Sequence, residues 1–416
     1  MPVRFFLLFL DMNTNFKKGF HSICVKDPVI DGLSAHVPPI YATSTFTYED
    51  LDAAFEFFKS GGKNKDVYTY SRLGNPTVRF VGDKIAALES FGIENEEEPY
   101  FGMLFASGMA AIAASIMANV KAGDKIITQG NLYGTTNELM VSLLKDFGVE
   151  TIYVDLKDLN FVEDAIINDE KIKLLYIETP ANPTLACYDL DGLAAIAQNL
   201  GIKTVVDNTF ATPYIQQPLK FGIDMVVHSS TKFLNGHGTG TSGVLVSKMN
   251  EATYKKVYGL QKMLGAICSP FEAFLLNNGV KTLPLRMEQH QKNAQALAEF
   301  LSSHPKVSRV NYLGLENHPD HILAKDQMTG FSGMLSFELR DGLEAGMQFQ
   351  RNIKFCTLTA SLGTADTLVT HSASTSHVNV PKEQRLQYGI TDGLIRCSVG
   401  LENIEDIIAD FEQALG

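Results

Sequence analysis

Residues 224–246 read DMVVHSSTKFLNGHGTGTSGVLV. An apolar run, Met225-Val226-Val227, opens the stretch and is short enough to be a buried strand. A hydroxyl cluster follows, Ser229, Ser230 and Thr231, and then a single lysine, Lys232. Gly236, Gly238, Gly240 and Gly243 come next, interleaved with further hydroxyls. Glycines this dense let a backbone approach another group closely. A lysine in such a place can act as an amine nucleophile that forms a Schiff base with an aldehyde. Ser and Thr beside it can bind phosphate oxygens. An aldehyde and a phosphate on one molecule point to pyridoxal phosphate (PLP). A surface lysine in a Gly-rich loop has the same composition, so the stretch alone leaves both readings open.

Upstream, strand and helix signals alternate. Lys125–Gln129, Thr151–Val154, Leu174–Ile177, Thr204–Val206 and Val226–Val227 read as strands, with helices at Asn137–Asp146 and Leu193–Asn199. This order predicts a mostly parallel sheet with helices on both faces, an α/β fold. Ligands of such sheets sit beyond the strand C-termini. Asn182, Asp207 and Lys232 all fall at or just past strand ends. Phe105-Ala106-Ser107-Gly108-Met109 leads into an alanine-rich helix, with Ser107 as its N-cap and bare amides for a phosphate; close helix–sheet packing explains the same residues. Tyr133 lies in a loop after a strand, where it can stack on a ring or simply pack. Tyr70 and Arg72 flank Ser71, so an extended chain points both the same way, and arginine is a natural phosphate clamp. A turn with an exposed arginine is the plainer reading of that piece.

The chain downstream predicts a second, smaller domain. Helices fill Ser269 to about Pro305, Gly333–Leu339, Ile353–Leu358 and Leu394–Val399 read as strands, and Ile404–Leu415 closes the chain as an amphipathic helix. The segment Ser361–Asn379 reads as a long irregular stretch with a functional role. Arg396, inside an apolar strand, needs a partner: a substrate carboxylate or a structural acid. Residues 11–66 read as an extended arm with one helical piece near Leu51–Lys59. Together these give an arm and extension over 1–65, a ligand-binding large domain over 66–268 and a small domain over 269–416.

Composition is that of a soluble globular chain, with 45% hydrophobic and 20% charged residues. A net charge of -12 argues against nucleic acid and anionic membranes as partners. The acidic run Glu94–Glu98 reads as a solvated loop. Five cysteines without a CxxC pair fit reduced thiols in a cytoplasm. His371 and His377 lack an evident third ligand, so no metal is expected. The apolar run Phe5–Leu10 is too short to span a membrane, and Met12 is an alternative start. A dinucleotide-binding dehydrogenase would require a G-x-G-x-x-G after a first strand, and none is present.

The segments YSRLGNPT (70–77), ASGMAA (106–111), ETPANP (178–183), VVDNTFATP (205–213), VVHSSTKFLNGHG (226–238) and SLGTADTLVTHSAST (361–375) together resemble one family. It is that of the PLP-dependent enzymes of cysteine and methionine metabolism. Cystathionine γ-synthase, cystathionine γ-lyase, methionine γ-lyase and the O-acylhomoserine sulfhydrylases are its members. The resemblance runs from about His36 to Leu415. It implies a type I aminotransferase-like fold and a homotetramer, a dimer of dimers with shared sites. By resemblance Lys232 carries the cofactor and shuttles protons, and Asp207 pairs with the pyridine nitrogen. Gly108, Met109, Ser229 and Thr231 hold the phosphate, with Tyr70 and Arg72 from the neighbouring subunit. Tyr133 stacks on the ring and assists at the γ leaving group, and Asn182 contacts the ring hydroxyl. Arg396 and the backbone near Ser361 bind the substrate α-carboxylate. The implied chemistry is γ-replacement or γ-elimination on a sulfur amino acid through an external aldimine.

Three departures bear on the subclass. The methionine γ-lyase pattern has a cysteine where this chain has Thr135, and a Lys-Asp pair where it has Gln261-Lys262. The acid of cystathionine enzymes is missing from Gly363-Thr364-Ala365-Asp366-Thr367. The C-terminal segment and overall length look most like methionine γ-lyase, but the first two departures favour a homoserine-ester sulfhydrylase or γ-synthase, and the third lowers cystathionine as substrate. Methionine γ-lyase, cystathionine γ-lyase and a non-catalytic PLP-fold protein are the alternatives.

Overall fold

The computed structural model describes residues 18–27, 35–59, 67–93, 99–375, 378, 380, 382–387 and 389–416. The expectations for Met12, the Phe5–Leu10 run, the Glu94–Glu98 loop and His377 lie outside the described residues. Two sheets organise the rest. The first has seven strands: β1 (Tyr100–Phe105), β2 (Lys125–Thr128), β3 (Glu150–Tyr153), β4 (Ile172–Glu178), β5 (Lys203–Asp207), β6 (Met225–His228) and β7 (Gly243–Lys248). Their spatial order is β1-β7-β6-β5-β4-β2-β3. All pairings are parallel except those of β7, which runs against both β1 and β6. Strands β4, β5 and β6 are buried along almost their whole length, the pattern of a sheet covered on both faces.

The second sheet has β8 (Val307–Asn311), β9 (Met334–Leu339), β10 (Thr357–Leu358), β11 (Leu368–His371) and β12 (Leu394–Ser398), in the order β10-β11-β12-β9-β8. Only β10 and β11 pair in parallel. Phe337, Phe349 and Phe411 cluster beneath it, with ring centroids 5.3 to 5.9 Å apart. They join the buried aliphatic residues Leu297, Leu335, Val369, Ile395 and Ile407 in one apolar cluster.

Several expectations need correction. Residues 353–358 do not form one strand, because only Thr357–Leu358 pairs. The backbone N–H groups of Lys354, Phe355 and Cys356 are instead taken by the Asp410 carboxylate, so they cannot join a ladder. The segment expected to be irregular contains β11 and a 3-10 turn, Ser372–Ser374. His371 is a structural residue there: its ring contacts Ser374 Oγ and the Asp392 carbonyl. The N-terminal arm carries a second helix, Phe20–Val25, besides Leu51–Lys59. Asp27, just after that helix, meets the buried Lys84 ammonium at 2.6 Å and Lys281 at 2.6 Å. Lys84 also donates to the Cys24 carbonyl and to Asn277 Oδ1. The arm is thereby bolted to the body rather than simply laid over it.

Candidate active site

The C-terminal ends of β4, β5 and β6 open into a cavity of about 250 Å³. Its lining includes Gly108, Met109, Tyr133, Glu178, Asn182, Asp207, Ser229, Thr231, Lys232 and Arg396. Nine of these ten were singled out by sequence; Glu178 was not.

The helix Gly108–Met117 begins at the cavity wall. Ser107 caps it, its Oγ accepting from the Ala110 N–H at 3.1 Å. The remaining first-turn amides have no intrahelical carbonyl to reach, which makes this end a site for an anion. Its close approach to the sheet depends on glycine at two points. A Cβ on Gly108 would lie 2.6 Å from Ser229 Cβ, and one on Gly243 would lie 2.2 Å from the Ser107 carbonyl oxygen. The hydroxyls beside the lysine differ. Thr231 donates to the Ser242 carbonyl and accepts from the Ser242 N–H, so its hydroxyl is already engaged. Ser229 Oγ has no such partner among the described residues, while the Ser229 N–H donates to Thr209 Oγ1 at 2.9 Å.

Asp207 ends β5 and is buried, 7% exposed. One carboxylate oxygen accepts from the Thr209 N–H and hydroxyl at 3.0 and 2.5 Å. The other has no hydrogen-bond partner among the described residues. Burial pushes this carboxyl above its ordinary value. An acid set in a cavity wall with one oxygen unspent matches a ligand that brings a positive charge or an N–H. Glu178 ends β4 directly beside it, the two residues being partners in the strand register. Burial, and then the nearby Asp207 charge, push Glu178 up to about 8.

Lys232 Nζ donates to Ser361 Oγ at 3.1 Å. Burial first, and the Arg396 charge second, lower this amine from 10.5 to about 8. That is the direction an amine nucleophile needs at neutral pH. Arg396, on β12, reaches across from the second sheet. Its guanidinium donates to Asn182 Oδ1 at 3.1 Å and to the Ser361 and Ala360 carbonyls at 3.0 and 3.3 Å. No carboxylate faces it, so the structural-acid alternative does not hold among the described residues. Burial lowers it to about 10, which leaves it charged at neutral pH. Asn182 thus spends its amide oxygen on Arg396 and keeps its NH2 for another acceptor.

Tyr70 and Arg72 do not line this cavity. Tyr70 is exposed, and Arg72 donates to the Lys262 carbonyl at 2.8 Å with its guanidinium 5.4 Å over the Tyr70 ring. Thr135 is exposed on the first turn of the helix Gly134–Glu138 and also lies off the cavity. Among the described residues no group of His, Cys, Asp and Glu is arranged to hold a metal. None of their helices is long and apolar enough to cross a membrane.

The family model for Cys/Met metabolism PLP-dependent enzymes matches residues 24–416. The chain belongs to that family. The enzyme is 47% identical to an L-methionine gamma-lyase of Fusobacterium nucleatum subsp. nucleatum, over 91% of this chain and 92% of that protein. It is 42% identical to a cystathionine beta-lyase of Lactococcus lactis subsp. cremoris, over 91% and 93%. Among solved structures, cystathionine gamma-lyase from Lactobacillus plantarum complexed with L-serine superposes with a TM-score of 0.86 at 38% identity, covering 95% of this chain and 98% of that one. The enzyme therefore has the type I fold and is PLP-dependent. The cavity fits that cofactor: a helix start for its phosphate, an amine for its aldehyde and a half-free carboxylate for its ring nitrogen.

Proposed function

We propose that this enzyme is a γ-lyase that converts L-methionine and water to methanethiol, 2-oxobutyrate and ammonia. The supporting observation is the likeness to an L-methionine gamma-lyase over 91% of the chain. The strongest sequence argument against that reading was Thr135, and that side chain is exposed away from the cavity. The Gln261-Lys262 departure stands, and γ-replacement on an O-acylhomoserine is the alternative that the test below addresses.

When bound, PLP supplies an aldehyde that condenses with the substrate amine and a ring that accepts electrons as protons leave the substrate. The chain's own residues do the rest. The Gly108 and Met109 amides and the Ser229 hydroxyl hold the phosphate. Thr231 joins them by exchanging its bond to Ser242. The free oxygen of Asp207 keeps a proton on the ring nitrogen. The Asn182 NH2 donates to the ring hydroxyl. Arg396 binds the α-carboxylate, its charge directed by Asn182 and the Ser361 carbonyl. Lys232, lowered to about 8, is the base at Cα and then at Cβ. Tyr133 covers the ring and donates a proton to the departing sulfur.

Tyr70 and Arg72 complete the phosphate site of another copy, in a homotetramer with shared sites. The exposed Leu51, Phe55 and Phe58 on the helix Leu51–Lys59 support such an assembly, since they offer apolar area to a partner. The enzyme acts in the cytoplasm. The test incubates the purified enzyme with L-methionine alone, and separately with an O-acylhomoserine and sulfide. Oxo acid and methanethiol from methionine alone are expected. Homocysteine from the second mixture, with methionine inert, overturns the proposal in favour of γ-replacement.

A further inference from the structure

Glu178 lies on the cavity wall with no role yet given to it. Glu178 is 5% exposed and sits beside a second acid, Asp207, an arrangement that costs free energy unless its hydrogen bonds offset it. Both oxygens are used, and both go to backbone. Oε2 accepts from the Tyr133 N–H at 2.7 Å and Oε1 from the Asn182 N–H at 2.9 Å. The two loops so held follow different strands, β2 and β4; farther along, Asn131 joins them again by donating to Thr184 Oγ1 at 2.8 Å and accepting from the Tyr188 hydroxyl at 2.7 Å. The base of the clamp is itself fixed. Gln129 donates to the Glu178 carbonyl at 2.6 Å and accepts from the Glu178 N–H at 3.3 Å.

What the clamp holds is the part of the site that meets substrate. Tyr133 stands at the cavity rim as the residue before the helix Gly134–Glu138. Its side chain makes no capping bond; its carbonyl accepts from the Asn137 N–H at 3.0 Å, and its N–H is held by Glu178. Asn182 passes the constraint on, because its amide oxygen orients the Arg396 guanidinium. We infer that Glu178 is a positioning residue that sets Tyr133 and, through Asn182, the carboxylate-binding Arg396, so that one buried acid aligns both ends of the substrate. The inference rests on the substrate-binding roles proposed above for Tyr133 and Arg396. A carboxyl group suits the task because both of its oxygens carry lone pairs that can accept, whether or not it holds a proton. A glutamine of equal size accepts with one and presents an NH2 to the other N–H.

The test uses the PLP-loaded enzyme and the variants Glu178→Gln and Asn182→Ala. The first readout is the spectral titration of the bound cofactor with an L-amino acid and with the amine that lacks its α-carboxylate. These measurements need no γ-elimination, so they stand even if methionine proves not to be the substrate. Glu178→Gln is expected to weaken the amino acid by roughly tenfold to a hundredfold, the cost of leaving a buried N–H without its acceptor. The amine is expected to bind as it does to the wild type. Asn182→Ala is expected to weaken the amino acid more than the amine, since it removes the guide of Arg396 as well as the donor to the ring hydroxyl. The second readout is the visible circular dichroism of the cofactor, expected to change in Glu178→Gln as Tyr133 shifts against the ring. Equal losses for amino acid and amine, or a fall in cofactor content and melting temperature without selectivity, reduce Glu178 to a structural residue and overturn the inference. So does a Glu178→Gln enzyme that matches the wild type in both readouts.

Discussion

The amine of Lys232 should capture PLP with a pH midpoint near 8, and Arg396 should set part of that value. A fall from 10.5 to about 8 corresponds to about 3 kcal/mol between the charged and neutral amine. At pH 7.5 roughly a quarter of such amines are neutral, against roughly one in a thousand for an ordinary lysine. Only the neutral form attacks an aldehyde, so the advantage in rate is of order two hundredfold. Burial is the larger cause and the Arg396 charge the smaller. In Arg396→Leu the midpoint should therefore rise, yet stay below 10.5. The assay mixes cofactor-free enzyme with excess PLP at pH 6.5 to 10.5 and follows the absorbance of the adduct. The sign for stability follows from the same shift. The folded amine binds fewer protons than the unfolded one between about 8 and 10.5. Its penalty is full below about 8 and is relieved as pH rises through that window. The stability of the cofactor-free wild type relative to Lys232→Met should thus rise with pH by up to about 3 kcal/mol. A wild-type capture midpoint at or above 10 would refute the reasoning, and an unmoved midpoint in Arg396→Leu would remove Arg396 from it.

Three further outcomes are expected. Asp207→Asn keeps the side-chain volume but loses the charge that holds a proton on the ring nitrogen, so kcat should fall roughly a hundredfold with the cofactor still bound; turnover within twofold of wild type would contradict the pairing. Gly108→Ala puts a methyl 2.6 Å from Ser229 Cβ and 2.8 Å from its Cα, and should weaken PLP binding about tenfold and also lower the melting temperature of the cofactor-free chain, by about 1–3 kcal/mol of stability. Lys84→Met leaves the Asp27 carboxylate buried with Lys281 as its remaining cation, and should destabilise the fold by about 3–5 kcal/mol in denaturant unfolding.

Much of this site is legible in the sequence because its chemistry is local. Lys232 sits among glycines and hydroxyls that few other settings use, and Asp207 and Asn182 follow apolar runs that end abruptly. The parallel strands β2 to β6 read well for the same reason: each is short, apolar and followed by a helix period. Glu178 ends an apolar run just as Asp207 does, yet escaped notice because its partners are backbone groups, which leave no mark in the side-chain sequence. Its meaning comes from the Tyr133 and Asn182 N–H groups that the fold brings to it. The reversed strand β7 was hidden as well, since an apolar run does not declare its direction. The Phe20–Val25 helix has too few turns to show a period, and its place is set by contacts with distant residues such as Lys84.

The two sheets contribute to the cavity unequally. Lys232, Asp207 and Ser229 stand on the first, while Arg396 and Ser361 belong to the second. On the roles proposed above, chemistry and recognition rest on separate layers, joined at the cavity by the hydrogen bonds of Arg396 to Asn182 and of Lys232 to Ser361. A change in the second layer can alter which amino acid is accepted while the groups that grip the cofactor stay in place. One scaffold can in this way diversify its substrates without rebuilding its reactive centre, and libraries aimed at new specificity should begin around residues 360–362 and 396.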